Sequence, residues 1–306
     1  MMIKKLVSIG LPTYNRAKDL PRALDLLLAQ TYRDIEIIVS DNCSTDDTKK
    51  ICEKYVKQDP RIRYIRQREN MGQQLNFQFV INEARGQYFM LAADDDWWDS
   101  SLVATLKSIL DHNPGYGAAM CSFENVYEDG TKGSVARFVG ENDVTALDSY
   151  ELFYRTLLPG RKVYFFIYGL FRSEVIKKFM QRPFPRCVRF DHIVMAEIAL
   201  STRFYSIPEV LFKKTIYRAS VASRYAHDLV GEPYQKIRIF RYLKYLYWIV
   251  RFIATSSVIS RSQKLRALLL VYPRVIKDGR GIMFYNTFYF SFPKTYQFFR
   301  KILKGY

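Results

Sequence analysis

Three carboxylates stand side by side at Asp94, Asp95 and Asp96, where the apolar run Tyr88-Phe89-Met90-Leu91-Ala92-Ala93 stops. Charges this close repel one another, and a hard divalent cation such as Mg²⁺ or Mn²⁺, which takes carboxylate oxygens, would neutralise them. Taken alone, the triplet equally suits a solvated turn capping the helix that follows, since Asp is a common N-cap. Two further polar clusters have the same setting. Pro12-Thr13-Tyr14-Asn15-Arg16 follows an apolar run at 6–11, and Asp41-Asn42-Cys43-Ser44-Thr45-Asp46-Asp47 follows another at 35–40.

The elements that must carry these clusters alternate. After the first run, Leu20, Ala23, Leu24, Leu27 and Leu28 recur at helical spacing. A helix is expected from about Thr48 to Val56 after the second, and a short strand at 62–65 precedes Asn70-Met71-Gly72 and a helix through Phe77, Val80 and Ile81. Tyr88 to Leu91 makes a fourth strand. Strands that are apolar throughout, separated by helices, imply an α/β fold with a mainly parallel sheet covered on both faces. Ligands of such sheets lie outside the carboxyl ends of the strands, which sets the three clusters on one edge and favours the cation over the solvated turn. Farther on, a helix is expected at 100–112, a strand at 117–123, a loop or hairpin at 124–147, a strand at 165–172 with Ser173 capping a short helix, and a helix opening at Asp191.

The 306 residues are 49% hydrophobic and 16% aromatic, ample for a large core, which excludes a disordered chain. The N-terminal apolar stretch is too short for a signal peptide and reads as the first strand. Cys43, Cys52, Cys121 and Cys187 lack metal or disulfide spacing, so a reducing, cytoplasmic setting is expected. The net charge of +17 is uneven: residues 230–306 hold 15 Lys and Arg against two acids, while the first 229 residues hold 32 against 28.

Four stretches carry a family resemblance: Val7 to Arg16, Ile37 to Thr48, Glu69-Asn70-Met71-Gly72, and Gly86 to Trp97. In order and type they resemble the inverting family-two glycosyltransferases of the GT-A fold, over roughly residues 5 to 105 and more weakly to about 227. The resemblance implies that Pro12, Thr13, Asn15 and Arg16 flank the base and ribose of a nucleotide-diphospho-sugar donor. It implies that Asp41 bonds the base, with Asn42 and Ser44 beside it and Asn70 and Gly72 in the same site. Asp94 to Asp96 take the place of the DxD-type motif in one of two alignments: as the motif itself, with Mn²⁺ or Mg²⁺ on Asp94 and Asp96 and Asp95 beside the donor, or, aligned on the downstream Trp and Leu102, with Asp94 and Asp95 as the closing acid pair and Ala92 where the first acid usually stands. Asp191 corresponds to the general base, with the adjacent His192 as a rival, Arg218 to a diphosphate contact, and His227 approaches the metal. The acceptor is then a hydroxyl of a glycan or lipid-linked glycan, as in bacterial-type surface polysaccharide synthesis.

Residues 1–229 are thus expected to form the catalytic domain, with a nucleotide-sugar half to about 105 and an acceptor half to about 229. The basic, aromatic tail at 230–306 reads as mostly helical. Arg241, Lys244 and Arg251 interrupt its apolar stretch 239–259, which argues against a membrane span and for a helix at an anionic membrane surface or packed on the catalytic domain. Peripheral attachment at the inner membrane face is expected, and no nucleic acid partner, because no binding motif accompanies the charge. A nucleotidyltransferase would have a glycine-rich phosphate loop after the first strand, where this chain has Pro12 to Arg16. A non-catalytic membrane-binding scaffold would not need Asp41, Asp94 and Asp191 together.

Overall fold

The structure, a computed structural model, describes residues 6–157, 162–182, 184, 190–218 and 238–269. The first half is three successive strand and helix units and a fourth strand: β1 (Val7–Thr13), α1 (Leu20–Leu28), β2 (Ile35–Asp41), α2 (Thr48–Gln58), β3 (Ile62–Arg66), α3 (Gln73–Glu83) and β4 (Tyr88–Leu91). Every residue of β1, β2 and β4 is buried, as the unbroken apolar runs imply. Leu20, Ala23, Leu24 and Leu27 form the buried stripe of α1, each leucine contributing about 1.5–3 kcal/mol on leaving water.

The second half comprises β5 (Trp97–Trp98), α4 (Leu102–His112), β6 (Tyr116–Tyr127), β7 (Lys132–Ala136), α5 (Ser149–Leu157), β8 (Leu170–Arg172), α6 (Ser173–Lys178), α7 (Phe190–Ala199), β9 (Arg203–Ile216) and α8 (Arg238–Ala254). Among the described residues one sheet runs β3-β2-β1-β4-β8-β6-β9-β5, with β7 paired to β6. Strands β3, β2, β1 and β4 are mutually parallel, and β8 enters antiparallel between β4 and β6. Thr13 lies beside Asp41 and Gly10 beside Leu91, so β1, β2 and β4 end on one edge of the sheet.

Three details differ from the sequence expectation. Residues 162–168 form a 3₁₀ helix, leaving only Leu170–Arg172 as strand, because a threefold repeat sets Val163 and Phe166 on one buried face. Ser173 starts α6 without capping it, the cap position being Arg172. The 14-residue β9, absent from the sequence reading, is masked there by Pro208, Lys213 and Lys214. It pairs with β6 through two register shifts between Ile207 and Phe212, and Pro208 falls in the first of them, where no ladder donor is needed.

The part of the tail that is described packs on α7 and the residues before it. Ile249, Phe252 and Ile253 of α8 are buried. The Arg182 guanidinium stacks 3.6 Å from the Phe252 ring centre, donates to the Phe252 carbonyl and Thr255 Oγ1, and pairs with the buried Glu197 of α7. Residues 261–269 are helical. No helix among the described residues is long and apolar enough to cross a membrane. The expectations for residues 219–237, His227 included, and for the tail beyond 269 lie outside the described residues.

Helix α3 comes so close to β1 that a Cβ on Gly10 would lie 2.7 Å from Val80 Cγ2 and 2.9 Å from Phe89 Cζ. Gly10→Ala is therefore expected to lower stability by about 1–3 kcal/mol through overpacking. Gly115→Ala, which meets nothing within 4 Å, is expected to leave it unchanged. Urea denaturation of both variants checks the contrast.

Candidate active site

A cavity of about 230 Å³ opens where β1, β2 and β4 end. The loop after β1 lines it with Pro12, Thr13, Tyr14 and Arg16, the loop after β2 with Asn42, the entry to α3 with Asn70, Gln73, Asn76 and Phe77, and the loop after β4 with Ala93, Asp94 and Asp95. Tyr168, Lys214 and Thr215 complete the lining from the second half. The fold thus brings together the three clusters expected to meet.

The carboxylate triplet divides into three environments. Asp94 lines the cavity with Oδ1 3.3 Å from Arg16 Nε; burial pushes its carboxyl up to about 7, against the pull of Arg16 and with the help of Asp95. Asp95 also lines the cavity, and its Oδ2 accepts from the Tyr217 hydroxyl at 3.0 Å. The Asp95 carbonyl accepts from Arg22 Nη2 at 2.9 Å and from the Thr215 hydroxyl. The side chain of Asp96 is fully buried: its oxygens lie 3.0 and 2.9 Å from Lys214 Nζ, and Oδ1 takes the Thr215 amide at 2.9 Å. Burial opposes the Lys214 charge, but Asp96, then Tyr168 and Asp95, outweigh it and raise the ammonium well above an ordinary lysine. Of the two acids expected at the cation, Asp94 lines the cavity, while Asp96 lies behind it, bonded to an ammonium and an amide from β9.

The residues expected at the nucleotide fall into two groups. Pro12, Thr13, Arg16, Asn42 and Asn70 line the cavity; Asn15, Asp41, Ser44 and Gly72 hold the loops that do. Asp41 is fully buried, with Oδ1 taking the Ser44 amide at 2.8 Å and Oδ2 taking the Tyr64 hydroxyl at 2.8 Å and Arg66 Nη1 at 3.1 Å. Both oxygens of its carboxylate thus accept from protein donors. Asn15, in the left-handed region at φ 52°, accepts the Thr45 amide at 2.8 Å, while its own amide donates to Ser44 Oγ at 2.9 Å, tying the first loop to the second. Asn42 donates to Asn70 Oδ1 at 2.6 Å and accepts the Met71 amide at 2.9 Å, and Asn70 Oδ1 takes the Gly72 amide at 2.9 Å. Gly72 sits at φ 85°, where a side chain would be strained, and starts α3 toward the cavity.

Asp191 lies in the first turn of α7, outside the cavity lining; Phe190 packs edge-on against the lining residue Phe77, ring centres 5.8 Å apart, which brings the start of α7 beside the cavity. His192 is buried in a stack with Tyr164 at 3.9 Å, a packing role. Arg218, expected at the diphosphate, pairs with Asp129 at 3.0 Å and lies 4.4 Å over the Tyr127 ring, at the turn joining β6 and β7 and outside the cavity lining. Ala92 is buried at the end of β4, its amide donating to the Gly10 carbonyl at 2.8 Å. Sequence reasoning missed Gln73, Asn76, Tyr168, Lys214 and Thr215. Gln73 and Asn76, polar at i, i+3 in the first turn of a helix that follows Asn70-Met71-Gly72, were the one available signal.

Comparisons with known proteins point to one family. The family model described as glycosyl transferase family 2 matches residues 8–180. A GalNAc(5)-diNAcBac-PP-undecaprenol beta-1,3-glucosyltransferase of Campylobacter jejuni is 35% identical over 111 residues, 36% of this chain and 35% of that one. The chain spans 16% to 50% of the length of the curated relatives it matches. Among solved structures, S. aureus TarS 1–349 in complex with UDP-GlcNAc superposes with a TM-score of 0.63 at 18% identity, covering 95% of this chain and 77% of that one. The mannosyltransferase PcManGT from Pyrobaculum calidifontis, in complex with GDP-Man and Mn2+, gives 0.54 at 17%, covering 92% and 85%. At these identities the likeness is one of fold.

The raised Asp94 carboxyl has a sign that can be measured. Between an unfolded value near 3.8 and a folded value of about 7 the native state holds the extra proton, so stability falls as pH rises through that window. Relative to wild type in EDTA, Asp94→Asn is expected to gain stability between pH 5 and pH 8, on the order of 1 kcal/mol for each unit of pKa difference expressed. Denaturation midpoints at the two pH values check it; parallel pH profiles would rule it out.

Proposed function

The chain belongs to glycosyl transferase family 2, and from that premise we propose that it is an inverting, metal-assisted glycosyltransferase. It moves a sugar from a nucleotide-diphosphate donor to a hydroxyl of a glycan or lipid-linked glycan. The observation that carries this reading is the pairing of Asp94 and Asp95 in one cavity with Arg16 and with the carboxamides of Asn42, Asn70, Gln73 and Asn76. Charged groups suit a diphosphate; carboxamides, which donate and accept, suit the neutral polar edges of a base or sugar. The relative from C. jejuni, named for transfer onto an undecaprenol-linked glycan, supports the acceptor class.

The donor set fits a divalent cation. Two adjacent carboxylates face the cavity, Arg16 offsets only part of their charge, and Mg²⁺ or Mn²⁺ needs only one or two protein carboxylates beside substrate phosphates. Asp94 and Asp95 would hold it, and it would supply positive charge to the departing diphosphate. Arg16 orients the Asp94 carboxylate, and Tyr217 orients that of Asp95. Asp191 is the base: its carboxylate takes the proton of the acceptor hydroxyl as that oxygen bonds to the anomeric carbon from the face opposite the leaving group. The bond from the anomeric carbon to the diphosphate oxygen breaks with its electron pair staying on the nucleotide, which inverts the anomeric centre.

The test is a screen of nucleotide sugars, UDP-GlcNAc among them, for transfer or hydrolysis with MnCl2 and with excess EDTA. Activity is expected only with the metal. In the same assay Asp191→Asn is expected to bind the nucleotide diphosphate as wild type does and to lower kcat by about 10²–10⁴-fold, the range for loss of a general base. Transfer by this variant at the wild-type rate would remove Asp191 from the mechanism.

Membrane attachment is proposed for the tail. Leu265 and Leu269, four residues apart on one helix face, are each 64% exposed, and Tyr247 and Val250 are exposed on α8. With 15 bases against two acids in residues 230–306, such a surface suits anionic headgroups. The full chain is expected to sediment with phosphatidylglycerol vesicles at low salt and less at high salt, and the double variant Leu265→Glu, Leu269→Glu to sediment less. Equal sedimentation with phosphatidylcholine vesicles would count against it.

A further inference from the structure

Lys214 reaches the cavity from β9, far in sequence from every loop that lines its acidic wall, and neither the metal nor the base assignment uses it. Its ammonium spans both oxygens of Asp96 at 3.0 and 2.9 Å and lies 4.7 Å from the Tyr168 ring centre, with its side chain 16% exposed. An ammonium has three hydrogens, so the bonds to the two oxygens of Asp96 do not exhaust its donors, and the residue lines the cavity. Asp96 itself is fully enclosed and cannot touch a ligand. A buried ion pair is seldom kept for stability, since apolar residues of similar volume serve as well or better. One that presents its cation to a cavity fits an anionic ligand, and a lysine ammonium binds phosphate as a point charge.

We propose that Lys214 is a phosphate-binding residue: its ammonium takes an oxygen of the donor's diphosphate, and Asp96 is the positioning residue that aims it. This rests on the nucleotide-sugar reading above. The third carboxylate of the triplet then serves the diphosphate through a lysine, while the first two serve it through a cation. Arg16 and Lys214 are held by different carboxylates of the same triplet, Asp94 and Asp96, so the acids fix the placement of both positive charges in the cavity wall.

Calorimetric titration of the full chain in MnCl2 with UDP, GDP, dTDP and ADP, and with the matching nucleosides, tests it. The variant D96N/K214M removes both charges, so neither is left buried alone, and its denaturation midpoint verifies folding. The quantity read is the ratio of nucleoside Kd to diphosphate Kd. It is expected to fall about ten- to a hundredfold in the double variant, the size of a lost hydrogen bond to a charged group, with nucleoside affinity unchanged. D96N alone, which keeps the lysine but loosens it, is expected to show a smaller fall. An unchanged ratio, or equal weakening of nucleoside and diphosphate, would overturn the role of Lys214 while leaving the donor site intact. Failure of the wild type to bind any of the four diphosphates would overturn the donor site and this inference with it.

Discussion

Three consecutive carboxylates cannot be buried unless each is given its own counterpart, and that requirement organises the second half of the fold around the first. Asp94 takes Arg16 from the loop after β1. Asp95 takes the Tyr217 hydroxyl, and Asp96 takes Lys214 and the Thr215 amide. The last three residues come from β9 or just beyond it, the strand that pairs with β5 directly after the triplet. Coulombic attraction in a low-dielectric interior is strong only when geometry is fixed. The pairing of Trp97 with Lys213 and Trp98 with Phe212 supplies that fixity, because it sets Lys214 and Asp96 each one residue beyond the same end of one ladder.

The same logic governs the loop after β2. A buried Asp41 that accepts from Ser44, Tyr64 and Arg66 leaves no orphan charge, and the network clasps the end of β2 to the end of β3. Asn15 joins the first loop to the second, and the Asn42 and Asn70 side chains join the second to the entry of α3. The residues facing the cavity are thus held from behind by residues that do not face it. Such support keeps a binding wall in place before ligand arrives, which lowers the ordering cost on binding.

Much of this was legible in the sequence, for definable reasons. Unbroken apolar runs at β1, β2 and β4 forced a buried parallel sheet, and its geometry forced the polar clusters to one edge. What the sequence could not show was which members of a cluster turn inward. Asp94 and Asp96 are alike in type and two residues apart, yet one lines the cavity and the other is enclosed, a difference decided by a strand more than a hundred residues away. Nor does sequence show that Arg218, whose context suggests phosphate, lies beside Asp129 and Tyr127. The 3₁₀ turn at 162–168 was hidden because a run of aromatics satisfies a strand pattern and a threefold repeat equally.

The slippage of β9 against β6 gives the chain a mechanical reading frame. Five steps along β9, from Ile207 to Phe212, match only two steps along β6, from Cys121 to Phe123, and regular pairing resumes with Lys213 opposite Glu124. Because successive side chains of a strand point to opposite faces, the length of this slack decides which side of the sheet Lys214 occupies. Deleting one residue from the slack would alter no charged group and no cavity residue by type. It would nonetheless carry the lysine to the far face and leave Asp96 buried without its cation. Length between 207 and 212 is therefore as strict a requirement on this chain as the identity of any residue that lines the cavity.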